Sequence, residues 1–101
     1  MSADARSLVE QIARTRDELS QALSDPDLSS DRERYAAVNK RWSDLSDAFA
    51  LAARWEDAAG RLEEAQELLA EDEADEDVRS FLDEARAELE ELGPRIRDAM
   101  I

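Results

Sequence analysis

From Asp31 to Ala70 the chain runs without a proline and with a single glycine, Gly60. Within that stretch Tyr35, Val38, Trp42, Leu45, Phe49 and Ala52 recur at alternating three- and four-residue steps, which places them on one stripe of an α-helix. The stripe drifts through Trp55 and Ala59 and continues to Leu62 and Leu69. A continuous helix of roughly 40 residues would be about 60 Å long at 1.5 Å per residue. No compact globule of 101 residues needs such a rod. The expected fold is therefore all-α: an elongated antiparallel three-helix bundle or coiled coil in a single domain, with helices at about 3–24, 31–70 and 76–100. Such a body holds or docks something more readily than it encloses a reaction.

The flanking segments supply the other two helices. Leu8, Ile12, Leu19, Ala22 and Leu23 have helical spacing, Thr15 fills the gap in their stripe, and Glu10 with Arg14 forms an i,i+4 pair. Pro26 ends this helix, because it disfavours the α conformation at Asp25 and donates no backbone hydrogen bond. Residues Ser24 to Ser30 then read as a turn, with Leu28 able to staple the start of the next helix and Ser30–Glu33 in the form of a capping box. The dense acids of 71–77 are expected to break the chain at about 71–75, with Asp75 capping the following helix. Val78, Leu82, Ala85, Leu89, Leu92, Ile96 and Ala99 form the cleanest heptad-like pattern of the chain, with Arg79–Asp83 and Arg86–Glu90 as expected surface pairs. Pro94 predicts a kink or a restart there. With short turns, all three helices would overlap only around Leu45 to Ala53, with both termini near the middle of the rod.

Composition narrows the function classes. Histidine and cysteine are absent, which removes zinc centres, thiol nucleophiles, disulfides and the usual general base together. The acidic turn lacks the central glycine of a calcium-binding EF-hand loop, and a di-metal carboxylate site would need histidine. No metal, no cofactor and no enzymatic activity are expected. No apolar leader opens the chain and no apolar run approaches about 18 residues, so a cytoplasmic protein without a membrane partner is expected.

The net charge of −14 is uneven. Residues 62–91 hold fourteen acids against Arg79 and Arg86, whereas residues 1–61 hold twelve acids against nine bases. A field this acidic repels phosphate, so DNA is not an expected partner and any RNA contact needs a local basic patch. Arg34 and Arg41 are seven residues apart and share a helix face, with Arg32 and Lys40 nearby. These four are either that patch or solvated helix charges. Trp42 reads as core. Trp55, where the stripe drifts, is equally readable as core or as an exposed anchor for a partner.

Three segments together resemble a known family: Asp25-Pro26-Asp27-Leu28, then Asp31-Arg32-Glu33-Arg34-Tyr35, then Lys40-Arg41-Trp42-Ser43-Asp44-Leu45. With the second aromatic at Trp55 and the acidic run Glu63-Glu64-Ala65-Gln66-Glu67-Leu68-Leu69, the chain resembles the N-terminal domain of bacterial class-1 peptide chain release factors. It is nearer to the branch of peptide chain release factor 1 than to that of factor 2. The resemblance implies a domain that reaches toward the stalk-base region of the ribosome, helps seat the factor in the decoding site during translation termination, and is touched by the methyltransferase that modifies release factors. It also implies what this chain lacks. Its two glycines, Gly60 and Gly93, are not adjacent, so the Gly-Gly-Gln tripeptide of peptidyl-tRNA hydrolysis is absent, and neither Pro26 nor Pro94 fits a codon-reading tripeptide. The chain is expected to be the first domain of a larger factor. The alternative from a different class is a free-standing helical coiled coil that self-associates as a homodimer or mediates protein–protein contact. A reading frame that continues past Ile101 into Gly-Gly-Gln favours the first, and a stop codon there favours the second.

Overall fold

A computed structural model describes residues 2–100, with side chains from Ala5 onward. Four α-helices and one short 3-10 turn follow in order: α1 Ser2–Leu23, the 3-10 turn Leu28–Ser30, α2 Arg32–Asp44, α3 Ser46–Glu71 and α4 Glu76–Ala99. The architecture is the expected elongated all-α bundle, measuring 60 × 26 × 18 Å. At 1.5 Å per residue α2 and α3 together span about 60 Å, so they run nearly end to end along the long axis. Helix α1 folds back along α2 and the start of α3, and α4 folds back along α3.

The long central helix is divided, not continuous. Leu45 leaves the helical basin at φ −97° and ψ 3° and separates α2 from α3. The Ser46 hydroxyl donates to the Ser43 carbonyl at 2.9 Å, a local bond that competes with the helical ladder. The flanking bonds survive: the Leu45 amide reaches the Arg41 carbonyl at 3.1 Å and the Phe49 amide reaches the Leu45 carbonyl at 2.9 Å. The break is a single-residue joint.

The turns differ from expectation in one cap and agree in the other. Asp31, not Ser30, caps α2 by accepting from the Arg34 amide. Ser30 belongs to the 3-10 turn, where its hydroxyl donates to the Asp27 carbonyl at 2.8 Å. The Asp25 carboxylate accepts from the Asp27 amide at 2.9 Å, and Leu28 is buried in the corner between α1 and α2. Asp75 caps α4 as predicted, accepting from the amides of Asp77 and Val78. Pro94 lies inside α4, which continues through it to Ala99.

The main core is built where three helices overlap. Ala5, Val9 and Ile12 of α1 meet Ala48, Phe49, Ala52 and Trp55 of α3 and Leu92 and Ile96 of α4. The overlap therefore lies at about 48–55, a few residues beyond the predicted 45–53, and Leu45 is only half-buried. Trp42 packs on Phe49 with ring centroids 5.1 Å apart. Beyond the overlap α3 and α4 continue alone, joined by Ala58, Ala65 and Ala85, none of which has exposed surface. Small side chains spaced seven apart let two helices approach closely.

Candidate docking surfaces

Helix α2 carries four of the five residues singled out from sequence. Arg32, Arg34, Lys40 and Arg41 are all exposed, and no residue of α2 is buried. At about 100° per residue Arg34 and Arg41 share a flank of the apolar stripe, while Arg32 and Lys40 point to other sides of the helix. The four do not form one patch. Lys40 is bound to Asp44 at 2.8 Å, and this hydrogen bond, with the charge of the same carboxylate, raises the Lys40 pKa above its ordinary value. The available pair is Arg34 and Arg41, beside an apolar strip of half-buried Val38 and Trp42 and of Tyr35, which is 43% exposed.

Trp55 is a core residue. It is only 4% exposed, and the Arg6 guanidinium covers its ring with the central carbon 5.0 Å from the centroid. Sequence spacing left this open because Trp55 sits where the stripe turns from α1 toward α4, and only the position of the α1 N-terminal end decides the matter.

The cross-helix charge network was missed. Arg61 of α3 donates to the Glu88 carboxylate at 2.6 Å and to Asp57 at 3.0 Å, and Arg54 lies 3.6 Å from Glu88. The hydrogen bond from Arg61 holds the Glu88 carboxyl below the usual carboxylate range against the opposing effect of its burial, and the charges of Arg61 and Arg54 add to the lowering. The expected pairs Arg79–Asp83 and Arg86–Glu90 are not among the ion pairs of the described residues. Arg79 instead donates to the Glu73 carbonyl at 3.0 Å, tying the acidic turn to α4. No sequence signal pairs residues 27 apart unless the register of α3 on α4 is already known.

Among the described residues no three histidine, cysteine or acidic side chains converge to hold a metal ion, and no helix is long and apolar enough to cross a membrane. What the surface offers is helix faces.

Residues 12–101 match the PCRF domain family. The chain belongs to that family. Several relatives of this PCRF domain share one name. The chain is 37% identical over 98 residues, 92% of its length, to "Peptide chain release factor 1" of Mycolicibacterium gilvum. It is 36% identical over 88 residues, 83% of its length, to the protein of that name from Clavibacter michiganensis subsp. michiganensis, and 47% identical over 58 residues, 57% of its length, to that of Leifsonia xyli subsp. xyli. The PCRF chain spans 28%, 24% and 16% of these three relatives. No solved structure matches it. The resemblance expected from the aspartate–proline turn, the spaced aromatics and the acidic arm is thus met by the family match.

Proposed function

We propose that this PCRF domain is the N-terminal docking part of a peptide chain release factor, acting in translation termination by binding the ribosome near its stalk base. The observation that carries the reading is the similarity to peptide chain release factor 1 along 92% of the chain, against only 28% of that relative. The similarity covers a helical rod in which no acidic side chains converge to hold a metal ion among the described residues, and the sequence contains no Gly-Gly-Gln. Codon reading and hydrolysis would therefore belong to parts of a factor outside these residues. Arg34 and Arg41, with the exposed Tyr35 beside them, would serve as a local contact to ribosomal RNA or protein, small enough to escape the repulsion of the acidic arm. The methyltransferase that modifies release factors is a second proposed partner, and the cytoplasm the proposed location.

The test is ribosome binding and stop-codon-dependent peptide release by a full-length factor with and without these residues. Weaker binding and slower termination on deletion, reproduced in part by Arg34→Glu with Arg41→Glu, are the expected results. Unchanged affinity and rate would overturn the reading.

Self-association is the second reading, and the uncovered α2 face favours it. Helix α2 carries four bases against two acids, far from the strong acidity of residues 62–91, so repulsion between two copies would be smaller there. Sedimentation equilibrium of the purified chain decides it, with Tyr35→Lys expected to return a dimer to monomer.

A further inference from the structure

Residues 24–44, the turn after α1 together with α2, bury one side chain, that of Leu28. From Ala48 to Ile96 ten apolar side chains are buried. Ordering a segment costs backbone entropy at every residue, and a single buried leucine offsets little of it. Half-buried Val38 and Trp42 add partial cover. Polar contacts add less: among the described residues no side-chain hydrogen bond or ion pair joins α2 to α1. Lys40 bonds Asp44 of its own helix, and Asp31 accepts from the Arg34 amide. In the α3–α4 hairpin, by contrast, Arg54 and Arg61 both reach across to Glu88.

The joint at Leu45 separates this weakly held segment from the rest. In an unbroken helix each amide bonds the carbonyl four residues back, so loosening of one part frays into the next. Here α3 has its own footing. Its first turns bury Ala48, Phe49 and Ala52, and the Phe49 amide donates to the Leu45 carbonyl at 2.9 Å. Helix α1 is also held without α2, because it is continuous from Ser2 to Leu23 and its Ala5, Val9 and Ile12 are fixed in the three-helix core. Among the described residues the one aromatic pair across the joint is Trp42 on Phe49, 5.1 Å between centroids.

We propose that residues 24–44 form a strap that lifts from α1 as a unit, tethered at Leu23 and Leu45, while α1, α3 and α4 stay assembled. Lifting draws Leu28 out of its corner and Trp42 off Phe49, and bares Leu19 of α1. The rod therefore has two surfaces. Closed, it presents Arg34 and Arg41 beside a half-covered apolar strip; lifted, it presents that strip in full on a helix free to reorient. A partner that binds the lifted strap more tightly would draw it from the minor population. The inference goes beyond the release-factor reading and does not depend on it.

The two tryptophans report on the two parts, Trp42 on the strap and Trp55 on the core. In Trp55→Phe, Trp42 emission should change at lower urea than the helical circular dichroism of the same variant. In Trp42→Phe, Trp55 emission should follow the main loss of helix. Leu28→Ala should move the Trp42 transition to still lower urea and leave the main loss of helix in place. Native-state hydrogen exchange of the unaltered chain should show α2 amides opening with a smaller urea dependence than those of α3, because less surface is exposed. Asp31→Ala should speed exchange in α2 about fivefold, the equilibrium factor of one cap, and leave Phe49 to Trp55 unchanged. Exchange needs no tryptophan replaced, so it decides the matter where a single-tryptophan variant fails to fold. A Trp42 transition coincident with the loss of helix, equal urea dependence in α2 and α3, or an Asp31→Ala effect spread equally into α3 would each overturn the proposal.

Discussion

At the α3–α4 end of the rod, Ala58, Ala65 and Ala85 have no exposed surface and Arg61 bridges to Glu88 at 2.6 Å. At the α1–α2 end, α2 buries no residue at all and leaves Tyr35 43% exposed. Charge is distributed the other way: the well-closed hairpin holds fourteen acids against two bases within residues 62–91, and the loosely closed one is nearly neutral. Close packing and self-repulsion thus coincide in one half, and slack packing without repulsion in the other. With only 15 buried apolar residues in the described core, each half therefore has a different weakness, repulsion in one and slack packing in the other.

The largest expected difference lies in the core. Leu92 has no exposed surface and joins α4 to both α1 and α3, so Leu92→Ala should cost about 2–5 kcal/mol. Val38 on α2 is half-buried, and Val38→Ala should cost about 1 kcal/mol or less. Leu45→Ala, which an unbroken central helix would place among the costliest substitutions, belongs near the low end of the leucine range because Leu45 is a half-buried joint. Urea melts of the three variants measure the ranking. A loss at Val38 equal to that at Leu92 would mean that α2 is as firmly held as α4.

The caps offer a finer comparison. Asp31 accepts one amide hydrogen bond at the start of α2, while Asp75 accepts two at the start of α4. Replacing either by alanine should cost about 1 kcal/mol, with Asp75 the dearer on bond count alone. Yet Asp75 sits among Glu71, Asp72, Glu73, Glu76 and Asp77, so its removal also relieves like-charge repulsion. At high salt, where that relief vanishes, Asp75→Ala should be the more damaging of the two. At low salt the order should narrow or reverse. An order independent of salt would show that the acidic turn stores no repulsion.

Acid separates the paired carboxylate from the unpaired ones. The folded pKa of Glu88 is lowered by Arg61, so its contribution to stability is present above the unfolded pKa and is lost as pH falls through the lower folded value. Neutralising other carboxylates of the same hairpin by added acid removes like-charge repulsion. At low salt the melting temperature should therefore rise on mild acidification and fall only further down, below the usual carboxylate range. Glu88→Gln should blunt that final fall. At alkaline pH the sign reverses for Lys40, whose raised pKa makes its bond to Asp44 a contribution lost as pH climbs through the folded value.

Much of the bundle was legible in sequence because it follows from periodicity and chain breakers. The spacing from Val78 to Ala99, the stop before Pro26 and the Asp75 cap all appear in the fold. Three features did not show themselves. At the joint the Ser46 hydroxyl bonds the Ser43 carbonyl within a Ser-Asp-Leu-Ser run that reads as ordinary helix surface. Val9 is core because α1 lies between two partners and needs a wider apolar face than the single stripe through Leu8 suggests. Ala85 lies on the expected stripe of the last helix, but its partners Ala58 and Ala65 do not stand out in sequence, because small residues carry little hydrophobic signal while deciding how closely α3 and α4 approach. Among the basic candidates Arg34 and Arg41 share a flank, whereas Lys40 is taken by Asp44, a pairing that the four-residue spacing alone does not single out.

Salt gives the smallest expected effect and the most direct reading of the charge asymmetry. Exposed like charges closer than a Debye length, about 10 Å at 0.1 M, repel less as salt is added. The fourteen acids of residues 62–91 are spread over two antiparallel helices and the turn between them, so raising salt should slow amide exchange in α3 and α4 beyond Ala58. Residues 5–45 hold acids and bases in near balance, and their exchange should change little. Salt also weakens the Arg61–Glu88 and Arg54–Glu88 attractions, which opposes the gain. Four favourable pairings among the described residues, against a net of −12 in residues 62–91, leave repulsion the larger quantity. Hydrogen exchange of the two halves at low and moderate salt measures the balance. Equal gains in both would show that the acids are far enough apart, or well enough solvated, to carry no folding consequence, and the contrast between the hairpins would then reduce to packing alone.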